Sequence, residues 1–368
     1  MDEAAGRPTP LQDLEEPLGA RFEEFHGWFT PLLYTSISTE ALAVRSGAGL
    51  FDVSHMGRLF VKADELERMG KLFTNNVEST KLGKMKYSYS LDEYGLIIDD
   101  VVSYGLEDGV LLVVNASAFQ RDVEWMNSHG VHPVNVTYET AMIAVQGPAS
   151  LSIASELGFK LGGWFTFNPI SGWEKAYNGG IASRSGYTGE DGFEVIGTTD
   201  FVKSIFQKVI GMGAKPAGLG ARDVLRLEAG YTLSGVDTVG MTPLDLGGSR
   251  FVKWEKDFIG KGALAVKKEK EGERLPFGLI AGNIPRRGYR CAEALVSSGT
   301  FSPTLKKGIG LAIPSNPKER PTAGTKLTLF EDGDPNKKRI EAEVTELPFV
   351  PWRYPRRPYP QISRFSSA

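Results

Sequence analysis

The chain of 368 residues lacks the features that would suit it to a membrane, an oxidising compartment or a polyanionic partner. It has a single cysteine, Cys291, so no disulfide can form within the chain and a reducing compartment is expected. No apolar run reaches the length of a membrane span. The 42 basic and 45 acidic residues leave a net charge of −3, which argues against nucleic-acid binding. We therefore expect a soluble intracellular protein without membrane or nucleic-acid partners.

Motifs for tightly bound nucleotides are also missing. The glycine pairs at residues 218–220 and 308–310 lack the third glycine of a dinucleotide fingerprint, and no phosphate-loop pattern occurs. Any cofactor is therefore expected to be a dissociable co-substrate. His129 and His132 stand beside a proline in a predicted loop, where histidines are more often surface residues than ligands. We expect no metal site.

A β-hairpin is predicted in the first half of the chain, from LIIDDVVSY at residues 96–104 and VLLVV at residues 110–114. Both runs are rich in aliphatic and β-branched residues, and glycines bound the turn between them. If the last residue of the first run pairs with the first residue of the second, Asp100 lies opposite Val114. Asp100 and Asn115 are then expected to share a site, allowing for one bulge.

Adjacent carboxyls at Asp99 and Asp100 are the sharpest chemical signal in this hairpin. Two acids between β-branched runs cost free energy unless at least one is exposed, paired or functional. Alternation along a strand places only one of them toward a core or a pocket. The pair is interpreted either as an edge strand with both acids in water or as an acid, base or orienting group at a cleft.

The segment SGYTGEDGFE at residues 185–194 contains three glycines and three carboxylates. The glycines predict a tight turn between short strands at residues 181–184 and 193–196. The turn is expected to present four side chains together: Tyr187, Glu190, Asp191 and Glu194.

Helical spacing of apolar residues or capping signals predict helices over residues 40–45, 201–210 and 222–229. The third helix carries Arg222 at its start, where the helix dipole disfavours a cation. A local carboxylate is expected to compensate, and Glu194 is the candidate.

Short apolar runs separated by glycine and proline fill the last part of the chain, such as residues 326–330 and 340–345. They predict the strands of a small β-barrel or sandwich. The mixed charges of residues 253–274, just before them, predict a solvated helix or a linker.

Longer segments along essentially the whole chain resemble one family, in that family's order. The family is the aminomethyltransferase, or T-protein, of the glycine cleavage system. The segments that carry the resemblance include AVRSGAGLFDVSHMG (43–57), YGLIIDDVV (94–102), SRSGYTGEDGFE (183–194), GLGARDVLRLEAGY (218–231) and SSGTFSPTLKKGIGLA (297–312).

The resemblance implies an α+β fold, a three-domain cloverleaf around a central channel that holds tetrahydrofolate. Two domains are expected to be ferredoxin-like α+β units, and the C-terminal domain a β-barrel. Residues 1–55 and 143–250 would form a discontinuous folate-binding domain, residues 56–142 an inserted domain with the catalytic aspartate, and residues 251–368 the barrel.

The resemblance also implies a tetrahydrofolate-dependent aminomethyltransferase. An aminomethyl group on the lipoyl arm of H-protein would release ammonia and pass its one-carbon unit to tetrahydrofolate. The products would be 5,10-methylenetetrahydrofolate and dihydrolipoyl H-protein. Tetrahydrofolate would be a dissociable co-substrate and lipoylated H-protein the partner. The implied compartment is the cytoplasm of a bacterium, or the mitochondrial matrix of a eukaryote with no presequence in this chain.

Matching positions imply roles for individual residues. Asp100 matches the catalytic aspartate, which would orient folate N10 and stabilise developing positive charge. Glu194 matches a glutamate that contacts folate, since a carboxylate accepts the paired donors of a pterin. Arg222 matches an arginine that holds that glutamate or the ligand, while Glu190 and Asp191 become structural or solvated turn residues. Five more positions match residues that line the folate site: Met56, Tyr87, Asn115, Tyr187 and Tyr354.

Two alternatives remain open from the sequence. One is a folate-binding relative with another reaction, such as a folate-dependent demethylase or an iron–sulfur assembly factor, although the cysteine lies outside a K-G-C-Y-type motif. The other is a catalytically silent protein that only binds H-protein, which an intact Asp100 disfavours. The chain departs from the family at residues 234–254, 290–296 and 352–368; Ser234 stands where an aromatic residue is usual.

Overall fold

The computed structural model describes residues 6–170 and 180–354 as a mixed α+β fold with four sheets. Its helices within these ranges are α1 (Gln12–Glu15), α2 (Ile37–Ser46), α3 (Leu66–Gly70), α4 (Phe119–Ser128), α5 (Ser150–Glu156), α6 (Thr199–Gly211), α7 (Leu219–Glu228) and α8 (Lys261–Lys270). Its strands are β1 (Arg7–Pro8), β2 (Arg21–Phe25), β3 (Trp28–Leu33), β4 (Gly49–Asp52), β5 (Gly57–Lys62), β6 (Met85–Leu91), β7 (Ile97–Gly105), β8 (Gly109–Val114), β9 (Val134–Asn135), β10 (Thr140–Gln146), β11 (Thr166–Ile170), β12 (Gly180–Arg184), β13 (Gly192–Thr198), β14 (Lys215–Pro216), β15 (Phe277–Ala281), β16 (Ala294–Ser302), β17 (Lys307–Pro314), β18 (Lys326–Phe330) and β19 (Arg339–Thr345).

The predicted hairpin is confirmed as β7 and β8, in the centre of an antiparallel sheet of order β6-β7-β8-β5-β9. One face of this sheet packs against α3 and α4 through an apolar cluster that includes Leu59, Met69, Leu112 and Met126. Each such side chain contributes roughly 1.5–3 kcal/mol by its burial. This packing fixes the hairpin that carries the adjacent aspartates.

A second sheet has the order β11-β12-β13-β10-β4-β14. Strands β12 and β13 confirm the two short strands predicted on either side of the glycine-rich turn. Helix α6 covers the sheet, and its residues Val202 and Phe206 join a buried cluster with Phe193 and Val195 of β13. Within the turn, Gly189 has φ +79°, a conformation that strains residues with a β-carbon.

The three predicted helices are confirmed as α2, α6 and α7; each is longer than predicted, and α7 begins three residues earlier. Helices α2 and α7 lie against each other, and α7 also contacts β16 and β17 of the C-terminal sheet. At the start of α7, a β-carbon on Gly218 would lie 2.3 Å from the main-chain oxygen of Leu32, so only glycine fits. No helix in residues 6–170 or 180–354 is long and apolar enough to cross a membrane.

The C-terminal sheet has the order β16-β17-β15-β19-β18, and its last two strands match the predicted runs. The predicted β-barrel is not confirmed, because this sheet does not close: β16 and β18 are its two edges. Isolated bridges from Arg290 to Leu295 and to Phe330 bring those edges together at one residue only. Helix α8, inside the predicted charged segment, precedes the sheet.

Candidate active site

The structure brings Asp100 and Asn115 together as predicted, in a register shifted by one residue. Val102 pairs with Val113, and continuing that register places Asp100 opposite Asn115 rather than opposite Val114. Asn115 Nδ2 donates to the main-chain oxygen of Asp100 at 2.8 Å and lies 3.4 Å from its Oδ1. The end of β8 therefore holds an amide against the Asp100 carboxyl.

Asp99 is completely buried, and both of its oxygens accept hydrogen bonds. Asn115 donates to Oδ2 from its main-chain nitrogen at 3.0 Å and to Oδ1 from Nδ2 at 2.9 Å. Ser234 Oγ donates to Oδ1 at 2.6 Å. Asp100 is only partly buried. The interpretation of an edge strand with both acids in water is wrong, because β7 lies between β6 and β8 and Asp99 has no exposure.

Asp100 has the electrostatics of a proton-exchanging group. Burial, reinforced by the charge of Asp99, raises the pKa of Asp100 to about 7. Hydrogen bonds with the hydroxyls of Tyr87 and Ser234 oppose this rise without cancelling it. Burial and the nearby Asp100 charge also raise the pKa of Tyr87, so its hydroxyl stays protonated. A carboxyl with a pKa near neutrality can change its charge under physiological conditions, as acid–base catalysis requires.

Glu194 and Arg222 lie close enough for their charges to interact, as predicted, although no hydrogen-bonded ion pair joins them among the described residues. Ser185 Oγ donates to Glu194 Oε2 at 2.5 Å, and burial raises the pKa of this carboxyl. Arg222, in the first turn of α7, places its guanidinium 4.9 Å from the centre of the Tyr187 ring. Arg222 Nη1 is buried and has no hydrogen-bond partner among the described residues. Arg222 therefore has the Tyr187 ring as a neighbour in addition to the Glu194 charge, and its Nη1 is a donor that a bound ligand would satisfy.

A series of aromatic rings runs from Tyr187 to the C-terminal segment. Ring centroids are 5.5 Å apart for Tyr187 and Tyr231, 5.8 Å for Tyr231 and Trp352, and 5.9 Å for Trp352 and Tyr354. Tyr354 stacks on Trp164 at 4.0 Å with an angle of 8°. The five rings form one aromatic wall, in the order Tyr187, Tyr231, Trp352, Tyr354 and Trp164. The wall contains the predicted lining residues Tyr187 and Tyr354.

Sequence reasoning missed three members of this wall. Trp352 lies two residues before Tyr354, and residues two apart in an extended chain share a face, so this signal was available. Tyr231 closes the GLGARDVLRLEAGY segment and follows α7 directly. Trp164 had no local signal, because only the tertiary fold brings it to the C-terminal segment.

Asp100 on β7 and Arg222 on α7 both affect the pKa of Tyr187. Burial raises the pKa of Tyr187; Asp100 adds to the rise and Arg222 opposes it. Of the other predicted lining residues, Tyr87 is close enough to Asp100 to lower the pKa of that carboxyl. Met56 is half-buried against the central apolar cluster, and Tyr87 packs on Phe251 with ring centroids 4.5 Å apart.

Glu190 is structural and not solvated, because Arg45 holds it in the interior. Arg45 Nη1 donates to Glu190 Oε1 at 2.8 Å, and Arg45 Nη2 donates to Glu228 Oε2 at 2.7 Å. All three side chains are at most 5% exposed. Ser302 Oγ donates to the other oxygen of Glu228 at 2.6 Å. We call Arg45, Glu190 and Glu228 the arginine clamp; it ties the turn to α2 and α7.

The C-terminal segment docks on the same elements. The main-chain nitrogen of Arg353 donates to the oxygen of Gly189 at 2.8 Å, and Trp352 Nε1 donates to the oxygen of Ala229 at 2.7 Å. Asp191, the other turn acid, forms a two-pronged ion pair with Arg184 and is likewise structural. The turn, the end of α7 and the aromatic wall therefore form one connected unit.

Comparisons with known proteins agree with this architecture. A family model described as "GCVT N-terminal domain" matches residues 11–256. The protein of Thermotoga neapolitana named Aminomethyltransferase is 38% identical over 362 residues, covering 93% of this chain and 97% of its own. The Aquifex aeolicus protein of the same name is 38% identical over 353 residues, covering 93% and 95%. The crystal structure of glycine cleavage system aminomethyltransferase T from Bartonella henselae matches with a TM-score of 0.83 at 30% identity, covering 95% of this chain and 99% of that one.

These matches define an α+β transferase with a GCVT domain. The chain belongs to the aminomethyltransferase family, the T-proteins of the glycine cleavage system. The predicted family is confirmed, and with it a tetrahydrofolate-dependent aminomethyltransferase of one-carbon metabolism.

Proposed function

We propose that Asp100 is the catalytic residue of the aminomethyl transfer. The lipoyl-bound aminomethyl group releases ammonia, and its carbon joins tetrahydrofolate to give 5,10-methylenetetrahydrofolate and dihydrolipoyl H-protein. Ionised Asp100 stabilises the positive charge that develops at the transferred carbon and orients folate N10. The observation that carries this role is the raised pKa of a partly exposed carboxyl that Asn115 holds in place.

Glu194 and Arg222 are the proposed pterin-binding residues. A pterin presents a ring N–H beside an amino group, and a carboxylate accepts both donors. Ser185 occupies Oε2 of Glu194, and no hydrogen bond to Oε1 occurs within the described chain, so acceptor capacity remains. The unpartnered Nη1 of Arg222 fits an acceptor atom of the same ligand. When bound, the folate supplies the nitrogens that receive the carbon.

The remaining predicted residues are proposed to line the folate. The near-parallel rings between Tyr187 and Tyr354 support this role, since flat aromatic faces stack on an aromatic ligand. Asn115 and Tyr87 hold the Asp100 carboxyl from β8 and β6. The proposed lining residues are Met56, Tyr87, Asn115, Tyr187 and Tyr354.

We also propose the three-domain arrangement around a central channel, with the boundaries expected from the sequence. The sheet β6-β7-β8-β5-β9 falls within residues 56–142, and the C-terminal sheet within residues 251–368. Strand β10 (Thr140–Gln146) crosses the proposed boundary at residue 143. Residues 1–5, 171–179 and 355–368 of these proposed domains lie outside the described chain.

Lipoylated H-protein is the proposed partner, because the aminomethyl group must be delivered on a carrier. The glycine cleavage name of the Bartonella henselae structure supports that assignment. A bacterial cytoplasm is the proposed location. The single cysteine and the bacterial relatives support it.

Replacing Asp100 tests the proposed chemistry. Asp100→Asn keeps the size of the side chain and removes its charge, so kcat for folate-dependent ammonia release should fall about 10²–10⁴-fold. Tetrahydrofolate affinity, measured by calorimetry, should stay within about threefold of wild type, since the affinity depends on other residues. Asp108→Asn is the matched control, because Asp108 is an exposed acid at the turn of the same hairpin. Full turnover by Asp100→Asn would remove Asp100 from the mechanism and leave the family assignment intact.

A further inference from the structure

A third carboxyl, that of Asp122, lies beside the pair of adjacent aspartates. Asp122 is on α4, is 3% exposed, and is within hydrogen-bonding reach of the Asp99 carboxyl. Its Oδ2 is buried and has no hydrogen-bond donor in the part of the chain that the structure describes. Two carboxyls in contact inside a protein repel each other when both are ionised.

Hydrogen bonding shows which of these two carboxyls carries the charge. Asp99 accepts bonds from three donors, Ser234 Oγ, Asn115 N and Asn115 Nδ2, and such donors stabilise the ionised form. Asp122 Oδ2 has none, so an ionised Asp122 would be a buried charge without compensation. A proton on Asp122 removes that charge and supplies a donor to Asp99.

The groups around the three carboxyls are consistent with this division. Arg121, one residue before Asp122, is exposed, and its Nη2 donates a hydrogen bond to the main-chain oxygen of Ile98. Its charge favours the ionised form of Asp122, yet burial and the Asp99 charge raise the pKa of Asp122 well above its usual value. The nearby hydroxyls of Tyr87 on β6 and Ser234 lower the pKa of Asp100, while burial and the Asp99 charge raise it.

We propose that Asp99 and Asp122 share one proton, so that the pair carries one negative charge and Asp122 is a positioning residue for Asp100. The single charge keeps Asn115 fixed between Asp99 and Asp100. It also determines the pH at which Asp100 ionises. The inference deepens the proposed function, since it takes Asp100 as the catalytic group.

Infrared spectroscopy tests the shared proton without turnover. In protein labelled with carbon-13 at aspartate carboxyls only, ordinary aspartates are ionised at about pH 8. The wild type should show a protonated-carboxyl carbonyl band at that pH, part of which disappears in Asp122→Asn and stays in Asp100→Asn. Asp99→Asn should lose the same band, because the amide that replaces the Asp99 carboxyl donates to Asp122 and no longer repels its charge, so that Asp122 ionises. Identical bands in the wild type and both pair variants would overturn the proposal.

The pH dependence of kcat shows how many negative charges the Asp99–Asp122 pair carries, because each charge raises the pH at which Asp100 ionises. Each single variant, Asp122→Asn or Asp99→Asn, retains one negative charge, so Asp122→Asn should leave the acid limb unmoved. The double variant has no charge there, and its limb should move to lower pH by about one unit or more. If the acid limb of the kcat profile already moves to lower pH in Asp122→Asn, the Asp99–Asp122 pair held two negative charges in the wild type. If the acid limb does not move in the double variant, the pair held no charge. Either result overturns the proposal.

The two measurements separate the inference from the proposed function. Absence of folate-dependent ammonia release in the wild type would end the proposed function, while the infrared bands would still report the shared proton. Normal turnover with no band assignable to Asp122 would end the inference alone. Circular dichroism of each variant identifies any that fails to fold, and the infrared comparison of wild type with the remaining pair variant then decides.

Discussion

Two clusters of carboxyls differ in how their charge is balanced. In the arginine clamp, Arg45 lies between Glu190 and Glu228 with hydrogen bonds of 2.8 and 2.7 Å. In the carboxyl cluster of Asp99, Asp100 and Asp122, hydroxyl and amide donors are present, but none of the described cations forms an ion pair with these acids. One cluster is held by a cation, whereas the other contains an acid, Asp100, whose pKa is raised to about 7.

The difference shows why burial alone does not mark a functional acid. A buried carboxylate with a hydrogen-bonded guanidinium remains ionised and holds structural elements together. A buried carboxyl beside other carboxyls has its pKa raised toward neutrality, as for Asp100 at about 7. Function is therefore expected where the cation is missing, and stability where it is present.

The largest effect is expected from removing the cation of the clamp. Arg45→Met leaves Glu228 buried without a counter-charge and Glu190 with only the exposed Arg353 at 3.7 Å, and should lower the free energy of unfolding by about 3–5 kcal/mol. Urea denaturation measures the loss. Lys337→Met, which breaks the exposed Lys337–Asp332 pair, is the control and should leave the free energy of unfolding almost unchanged. Equal losses in both variants would mean that the clamp is no more stabilising than a surface pair.

A smaller effect on ligand binding distinguishes two glutamates of one turn. Glu194→Gln cannot accept both pterin donors on a charged group, and should weaken tetrahydrofolate binding about 10- to 100-fold. Glu190→Gln changes a clamp residue and should leave the affinity within about threefold, at a modest cost in stability. Calorimetric titration of both variants provides the comparison. The reverse order of affinities would contradict the division between the ligand site and the clamp.

The smallest effect concerns a buried acid that has no cation and lies outside the proposed site. Tyr34 donates to Glu15 Oε1 at 2.9 Å, and Glu15 Oε2 has no partner among the described residues. Burial, with the charge of Asp52, raises the pKa of Glu15 from 4.5 to about 9. A raised folded-state pKa gives stability below pH 4.5 that is lost as the pH rises toward 9.

Glu15→Gln removes that loss, so the variant should be more stable than wild type at neutral pH, with a gain that grows as the pH rises from about 5 to about 8. The gain should disappear when unfolding is measured below the ordinary pKa of glutamate. Turnover should be unchanged. A stability gain that is independent of pH would mean that Glu15 is ionised in the folded protein. A loss of turnover would mean that Glu15, a buried acid without a paired cation in the described chain, also contributes to function.

Local patterns predicted the hairpin, the flanking strands of the glycine-rich turn and three helices. Each depends on contiguous residues, such as the aliphatic runs around Asp99 and Asp100. The one-residue register shift was not predictable, because β8 also pairs with β5 and the whole sheet sets its position. The wrong expectation of a closed C-terminal barrel has the same cause. The strands could be predicted from the sequence, but closure depends on pairing between strands that are distant in the sequence.

The candidate site was predictable only where its residues are adjacent or match the family. The acids Asp99 and Asp100 are adjacent, so the sequence alone showed them as a pair. Ser234, which donates to Asp99, is 135 residues away in the sequence and could not be predicted. Helix-dipole reasoning predicted a carboxylate near Arg222, and Glu194 acts on its charge, but the contact with the Tyr187 ring was not predicted. Asp122 had no signal of its own, because a lone acid on an amphipathic helix is usually a surface residue.

Direct titration of Asp100 is the measurement closest to the central claim that a cation-free cluster supplies the reactive acid. Carbon-13 NMR of aspartate carboxyls, with Asp100 assigned from the Asp100→Asn variant, follows its ionisation without substrate. We expect an apparent pKa of about 7. Ionisation near the ordinary value of 3.8 would mean that Asp100 is charged throughout the physiological range, and the cluster would then not supply a reactive acid.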